Sequence, residues 1–510
     1  MVSLKHILAA AAILAAPFGA SADYTLQWRS ELSAQAGSGT FAPYYIASRC
    51  DGVAGAAPYA FYTRDAISRE MNDSSRFSYG FGVDLMAGYV SPIDYERYDP
   101  VTATLRKHPL SSGYFYPQQI YGEVKYRSLF LMAGMKSYDR SLFDNPLGSG
   151  DFVISNNARP IPQVRLGFLD FTDVPLTKGW LQVQGELAYG KFVDNGWLER
   201  QASRLNSFVT TGAWMHYKRL YFRIAPRERF TFTVGMQHAA QFGGTKTVYL
   251  HGREYSREKA RVTAKSFFDI LIPGRGEGSA YYDGNHLGSW DLTAQYRSPV
   301  GTFRLTAQFP WEDGSGIGKL NGWDGIWGLE YTAPTPGIVD AVTVQYIDMM
   351  NQSGPMHWAP GDFPGTAIPG EATGADNYYN NYFYDGWANY GMSIGSPFFK
   401  SPVYNTDGFP IFTDNRMRGF HVGVSGTPAR RWQYREHFSY RTSWGSYFLP
   451  APELRHDTSM LVGATWQSPA IEGLSVRGEA AFDCGKLYGD NFGVRVSVEY
   501  SGDITFKKKK

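Results

Sequence analysis

Asn491-Phe-Gly-Val-Arg-Val-Ser-Val-Glu-Tyr500 is the stretch whose reading decides the fold. Phe492, Val494, Val496, Val498 and Tyr500 alternate with Arg495, Ser497 and Glu499. A period of two places the apolar set on one face of a strand and the strongly polar set on the other. The same scheme occupies Tyr24 to Ala36, where Leu26, Trp28, Leu32 and Ala34 oppose Gln27, Arg29, Glu31, Ser33 and Gln35. It returns at Trp180 to Gly190, with Leu181, Val183, Leu187 and Tyr189 opposite Gln182, Gln184 and Glu186. Such strands suit a wall between lipid and a wet lumen. A sandwich alternates too, but usually in shorter strands.

Working outward, the pattern predicts strands near residues 24–36, 57–66, 77–90, 117–127, 128–136, 163–169, 180–190, 212–225, 230–239, 290–298, 301–309, 325–332, 340–348, 418–425, 432–442, 459–467, 473–483 and 491–500. Connections after even-numbered strands are short, such as Pro226 to Arg229, Pro299-Val300 and Gly426 to Arg431. Those after odd-numbered strands are mostly long, such as 91–116, 137–162, 240–289 and 349–417. Short turns at one end, long loops at the other and an even strand count give an all-β fold. They predict an 18-stranded antiparallel transmembrane outer-membrane β-barrel over residues 23–506. The long loops are expected to face the surface of a Gram-negative cell, and both termini the periplasm. A secreted multi-sheet β-protein is the alternative.

Met1 to Ala22 reads as a signal peptide: Lys5 supplies the charge, Ile7 to Ala16 an apolar run too short to span, and Ala20-Ser21-Ala22 the cleavage site. No later segment approaches eighteen consecutive apolar residues, which leaves a barrel as the way across a membrane. Without Lys5 the chain carries 48 basic and 47 acidic side chains, a net charge of +1; without the Lys507 to Lys510 tail it is −3. Near-neutrality argues against a nucleic-acid partner. The 56 Gly, 35 Tyr, 33 Phe and 13 Trp, with a mean hydropathy of −0.33, fit many strands with polar turns and aromatic rims.

Candidate function concentrates in 349–417, which lacks strand or helix period and contains Asp376-Asn-Tyr-Tyr-Asn-Asn-Tyr-Phe-Tyr-Asp-Gly-Trp387. Long structureless loops in compact domains are usually functional or disordered, and this one is too aromatic for disorder. Flat rings beside amides and carboxylates match a sugar's apolar C–H faces and hydroxyl rim. Trp387, Tyr384 and Trp358 are the expected stacking platforms, with Asp376, Asn377, Asn380, Asn381 and Asp385 as hydrogen-bonding partners. Asn157 and Arg159 in an earlier loop come second. The alternative is a self-packed loop whose aromatics bury one another.

Arg253 to Leu271 is the best helix candidate, with Arg257, Arg261 and Lys265 on one face, able to cap the mouth or to remain a solvated helix. Gly391-Met-Ser-Ile-Gly395 fits G-x-S-x-G but lacks the strand–turn–helix context of a nucleophile elbow. The ten histidines show no metal-ligand spacing, and neither catalytic residues nor a cofactor is expected. Cys50 and Cys484 fall in the first and last long-loop regions, next to one another once a barrel closes, so they form a possible disulfide.

Ser155-Asn-Asn-Ala-Arg-Pro-Ile-Pro-Gln-Val-Arg-Leu-Gly167, Lys178-Gly-Trp-Leu181 and Gly190-Lys-Phe-Val-Asp-Asn-Gly-Trp197 resemble the Wzi-type capsule assembly family of outer-membrane proteins. Ala239-Ala-Gln-Phe-Gly-Gly244, Asp376 to Asn381 and Gly391-Met-Ser-Ile-Gly-Ser-Pro-Phe398 extend the resemblance over most of the chain. It implies an eighteen-stranded barrel, largely closed to solutes, that acts as a lectin attaching exported capsular polysaccharide to the cell surface. The family pattern includes a helical segment near the amino end, whereas here Asp23 leads almost directly into the first strand. The expectation is therefore a non-enzymatic, monomeric lectin whose partners are capsular polysaccharide and outer-membrane lipid. An outer-membrane porin or polysaccharide channel is the runner-up, and an outer-membrane hydrolase a third class.

Overall fold

The computed structural model describes residues 24–506 apart from 73, 100, 139–140, 144, 195, 203–206, 272–283, 313, 320–321 and 353–376. The expected signal segment and the tetralysine tail lie outside the described residues. The barrel strands are β1 (Tyr24–Ser38), β2 (Ala60–Arg69), β3 (Phe77–Asp99), β4 (Thr104–Tyr126), β5 (Leu129–Met135) and β6 (Gln163–Phe168). Next come β7 (Leu181–Lys191), β8 (Trp214–Ile224), β9 (Phe230–Phe242), β10 (Asn285–Ser298), β11 (Gly301–Trp311) and β12 (Gly325–Thr332). The remainder are β13 (Ala341–Asp348), β14 (Met417–Ala429), β15 (Trp432–Gly445), β16 (Pro450–Gln467), β17 (Leu474–Gly485) and β18 (Asn491–Phe506).

Each strand pairs antiparallel with its chain neighbour, and β1 pairs with β18 from Tyr24↔Phe506 to Ser38↔Phe492, closing an eighteen-stranded barrel. The two-residue Thr172–Asp173 strand only lies against β7. Alternation sorts the wall as the sequence predicts. On β18, Phe492, Val494, Val496 and Val498 are exposed outward while Arg495 and Ser497 are buried inward. On β1, Leu32 faces out and Ser33 and Gln35 face in.

The inward face carries charge in partnered sets. Arg64 meets Asp84 at 2.6 Å, and Arg165 and Arg219 meet Glu186 at 2.7 and 3.1 Å. Arg495 meets Glu479 at 2.7 Å, and Arg435 shares the same carboxylate. Removing one partner from such a set would strand a desolvated charge, so the inner surface is specified as strictly as the outer one.

The long loops fold into their own end of the lumen. Tyr45, Ile46, Phe152, Val153, Tyr378, Tyr379, Trp387, Phe398, Phe399 and Phe412 form one apolar cluster with inward wall residues such as Tyr217, Leu287 and Ile347. A loop buried in this way needs partners for its backbone groups. The wall supplies them: Gln345 Oε1 accepts from Ser149 N at 2.7 Å, Gln308 Oε1 from Phe152 N at 2.8 Å, and Asp483 Oδ2 from Tyr44 N at 2.9 Å. Below this plug, the short-turn half of the lumen holds polar cavities of about 1100, 960 and 680 Å³.

Three expectations are corrected. Residues 91–116 are not a loop, because β3 and β4 run on as a hairpin about 30 Å beyond Val90, where β2 stops. Ile93, Tyr95 and Arg97 are buried and alternate with exposed Pro92, Asp94 and Glu96; the register shift between Val90 and Ile93 accommodates Pro92. The hairpin leans over the mouth, Tyr95 OH donating to Val403 O at 2.9 Å and Glu96 N to Thr406 O at 2.6 Å.

Arg253 to Leu271 is not a helix. Arg253–Lys259 is a strand paired with Thr245–Leu250, which pairs in turn with Ser207–Thr211. The turn between them is His251-Gly252, both at positive φ (49° and 72°), the two-residue geometry that matches strand twist. Only Ala264–Asp269 is helical, capped by Thr263.

The two cysteines do not pair; both thiols are free. Cys484 shares the outward parity of Phe482, whereas Cys50 lies inside against Arg495. The barrel wall separates them. Thiol alkylation of the unreduced, denatured protein should therefore label two cysteines, and one blocked pair would contradict this placement. Val496→Arg near mid-wall should cost about 2–4 kcal/mol of folding into lipid, read as a lower yield of heat-modifiable barrel in vesicles.

Candidate functional site

The connection 192–213 between β7 and β8 and the connection 349–416 between β13 and β14 meet at the long-loop end and enclose a cleft. Its walls include Phe192, Asp194, Trp197, Thr210, Tyr384, Asp385, Asn389, Tyr390 and Gly391. Its enclosed space is about 30 Å³, room for little more than one water-sized group, behind a wider open mouth.

Asp194 builds the first wall. Its carboxylate accepts from Gly196 N at 3.0 Å and Leu198 N at 2.9 Å, and its carbonyl from Trp197 N at 2.9 Å. A short acidic side chain at a helix start supplies acceptors that the first turn lacks, so Trp197–Ala202 begins here and Trp197 is aimed at the facing loop. The ring rests on Gly391: a Cβ there would sit 2.4 Å from it, and the backbone has φ +75°. Both facts demand glycine.

The second wall explains the Asn-rich run. Asn380 donates to Phe412 O and accepts from Phe412 N, each at 2.8 Å. Asn377 Oδ1 accepts from Asn380 and Asn415 at 3.0 and 2.6 Å, and Asn381 Oδ1 accepts from Phe383 N at 2.8 Å. These amides shape turns. Their bonds hold the loop together.

The expected platforms are corrected likewise. Trp387 is 0% exposed, with Nε1 donating to Val153 O at 2.7 Å. Tyr384 is 5% exposed, with its hydroxyl donating to Gly243 O at 3.2 Å, so it offers the cleft only a flank. The self-packed alternative holds for these rings. Asn157 is fully buried, donating to Ser393 O and accepting from Arg49 N. Arg159 lies between the rings of Tyr116 and Tyr390, 3.4 and 4.4 Å from their centroids. Trp358 and Asp376 lie outside the described residues. Ser393, of the G-x-S-x-G stretch, is wholly buried on a two-residue strand.

Two side chains that line the cleft each carry a buried oxygen without a partner among the described residues. Asp385, 5% exposed, accepts from Thr210 N through Oδ2 at 3.0 Å, while Oδ1 has no partner among the described residues. Asn389, 3% exposed, donates to Arg159 O at 2.9 Å, while its Oδ1 likewise has none. Both line the cleft. Buried polar atoms normally find partners, and exceptions often mark sites for water or ligand. Of the residues expected from sequence, Asp385 and Tyr384 belong to this cleft; Asp194, Trp197, Thr210, Asn389 and Tyr390 were not foreseen. The readable signal was Asp194-Asn-Gly-Trp197, an acidic helix start followed by a tryptophan.

Burial, helped by Asp194, pushes the Asp385 carboxyl up to about 8. Because the folded value lies above the unfolded one, the contribution is largest at low pH and is lost as pH rises from about 4 to 8. Wild type should therefore lose melting temperature relative to Asp385→Asn between pH 6 and pH 9. Parallel calorimetric curves for the two proteins would contradict the assignment.

The closed sheet, its inner and outer faces and its asymmetric loops define an outer-membrane β-barrel. Among solved structures the chain is similar to Wzi of Escherichia coli, an outer-membrane protein involved in group 1 capsule assembly and a carbohydrate-binding β-barrel. The two share 12% identity and a TM-score of 0.52, covering 97% of this chain and 87% of that one. It is also similar to Pseudomonas aeruginosa OccK5 (OpdH), at 9% identity and a TM-score of 0.46 over 94% of this chain and 98% of that one. These likenesses are of fold. No protein-family model matches the sequence, and a comparison with curated proteins finds no match.

Proposed function

We propose that this chain is a lectin of the Wzi-type capsule assembly family, binding exported capsular polysaccharide through its long-loop end and performing no chemistry. The observation that carries the reading is the cleft: aromatic rims at Trp197 and Tyr390 around two buried, unpartnered oxygens on Asp385 and Asn389. Sugars combine an apolar ring face with hydroxyl donors, so stacking and acceptor sites together suit them. Sequence stretches that resemble the family converge on this cleft: Gly190 to Trp197 contributes Phe192, Asp194 and Trp197; Ala239 to Gly244 contributes Gln241; and Gly391 heads a third. Wzi of Escherichia coli, described as a carbohydrate-binding barrel of capsule assembly, supports the reading through its fold. In this reading the long loops face outward, outer-membrane lipid surrounds the wall and the protein acts as a monomer.

The polar cavities below the plug favour a second reading, a channel for solutes or polysaccharide. Loops packed as tightly as the aromatic cluster oppose it. Two measurements separate the readings. Purified protein in planar bilayers should show no stable large conductance, yet should pull down the cell's own capsular polysaccharide. Trp197→Ala should weaken that retention about two- to tenfold, as expected for a lost ring contact, with heat-modifiable barrel formation unchanged. Stable openings without polymer retention would select the channel.

A further inference from the structure

We infer that the unit recognised in the cleft is an uncharged sugar that inserts a hydroxyl or hydroxymethyl group, and that uronate units are excluded from it. This rests on the lectin reading and deepens it.

The first argument is charge. The described lining contains two carboxyl groups, Asp194 and Asp385, and neither lysine nor arginine. The nearby cations Lys191, Lys246 and Arg159 each make contacts outside the cleft, Lys191 Nζ lying 4.9 Å from the centroid of the Trp214 ring. Lys246 donates to Tyr382 O at 2.7 Å and lies 4.3 Å from the centroid of the Phe208 ring. Arg159 is sandwiched between Tyr116 and Tyr390 and donates to Pro117 O at 3.0 Å. A carboxylate entering the cleft would shed water and face the Asp194 carboxylate, with no lysine or arginine in the lining to offset it.

The second argument is hydrogen-bond type. Asn389 Oδ1 is an amide oxygen and can only accept, and one N–H of the same amide is directed to Arg159 O. It therefore calls for a donor. A hydroxyl donates and accepts, so it can accept from the protonated Asp385 carboxyl while donating to Asn389 Oδ1. A carboxylate only accepts and leaves Asn389 unsatisfied.

The third argument is size. About 30 Å³ of enclosed space admits one small substituent, not a ring. The sugar ring then lies across the mouth, against Trp197 and Tyr390.

The test uses full-length protein in detergent micelles and the cell's own capsular polysaccharide. The polymer is applied native and after chemical reduction of its uronic carboxyl groups to hydroxymethyl groups. The inference expects the reduced polymer to bind within twofold of the native one or more tightly, and Trp197→Ala to weaken both forms alike. Loss of more than twofold on reduction, or an unaffected Trp197→Ala protein that still forms heat-modifiable barrel, overturns the inference while the lectin reading stands. Failure of wild type to bind either form overturns the lectin reading itself.

Discussion

In hydrocarbon no water is available to backbone N–H and C=O groups, so a spanning sheet must satisfy all of them by closing on itself. The β1–β18 seam meets that constraint with a continuous register from Tyr24↔Phe506 to Ser38↔Phe492. Everything else in the fold follows from closure. With no edge, each strand has an outside and an inside, and the period of two assigns side chains to them. Leu32, Val494 and Val496 meet lipid; Ser33, Arg495 and Ser497 meet the lumen. The same parity turns Cys484 on β17 outward, away from Cys50, which lies in the first loop against the inward Arg495.

Closure also creates the problem that the loops solve. An eighteen-stranded wall encloses more space than its inward side chains fill, and here the long loops occupy one end of it. Their aromatic rings supply the burial, while glutamines and carboxylates on the wall meet their backbone donors. The hairpin of β3 and β4 leans over the assembly from outside through Tyr95 and Glu96. Among the buried polar atoms that lack partners among the described residues, the oxygens of Asp385 and Asn389 are informative because both line the same cleft as Trp197 and Tyr390.

Strand positions were legible because lipid and lumen impose opposite demands on successive residues, leaving the pattern in every wall segment. All eighteen predicted strands correspond to observed ones, including the tight turn at Arg127-Ser128 and the strand begun near Gly212, which spans Trp214–Ile224. The failures have physical causes. The strand expected to end at residue 90 continues past a register shift between Val90 and Ile93 that interrupts the alternation. Arg253–Lys259 has good helix formers, yet tertiary pairing to Thr245–Leu250 overrode propensity.

The sequence by itself determined the barrel, its strand number and most of its long connections, since alternation is a local record of a two-sided environment. Only the tertiary structure decided what the aromatic and Asn-rich loop residues do. An asparagine that shapes a turn and one that faces a cleft are identical in sequence. Asn380 commits its side chain to Phe412 and Asn377, whereas Asn389 leaves one oxygen without a partner among the described residues. Trp387 and Trp197 differ in the same way: one is enclosed by the plug, the other stands at the mouth against Gly391. Burial and hydrogen-bond satisfaction are set by which distant segments arrive at the same place, and no local pattern carries that.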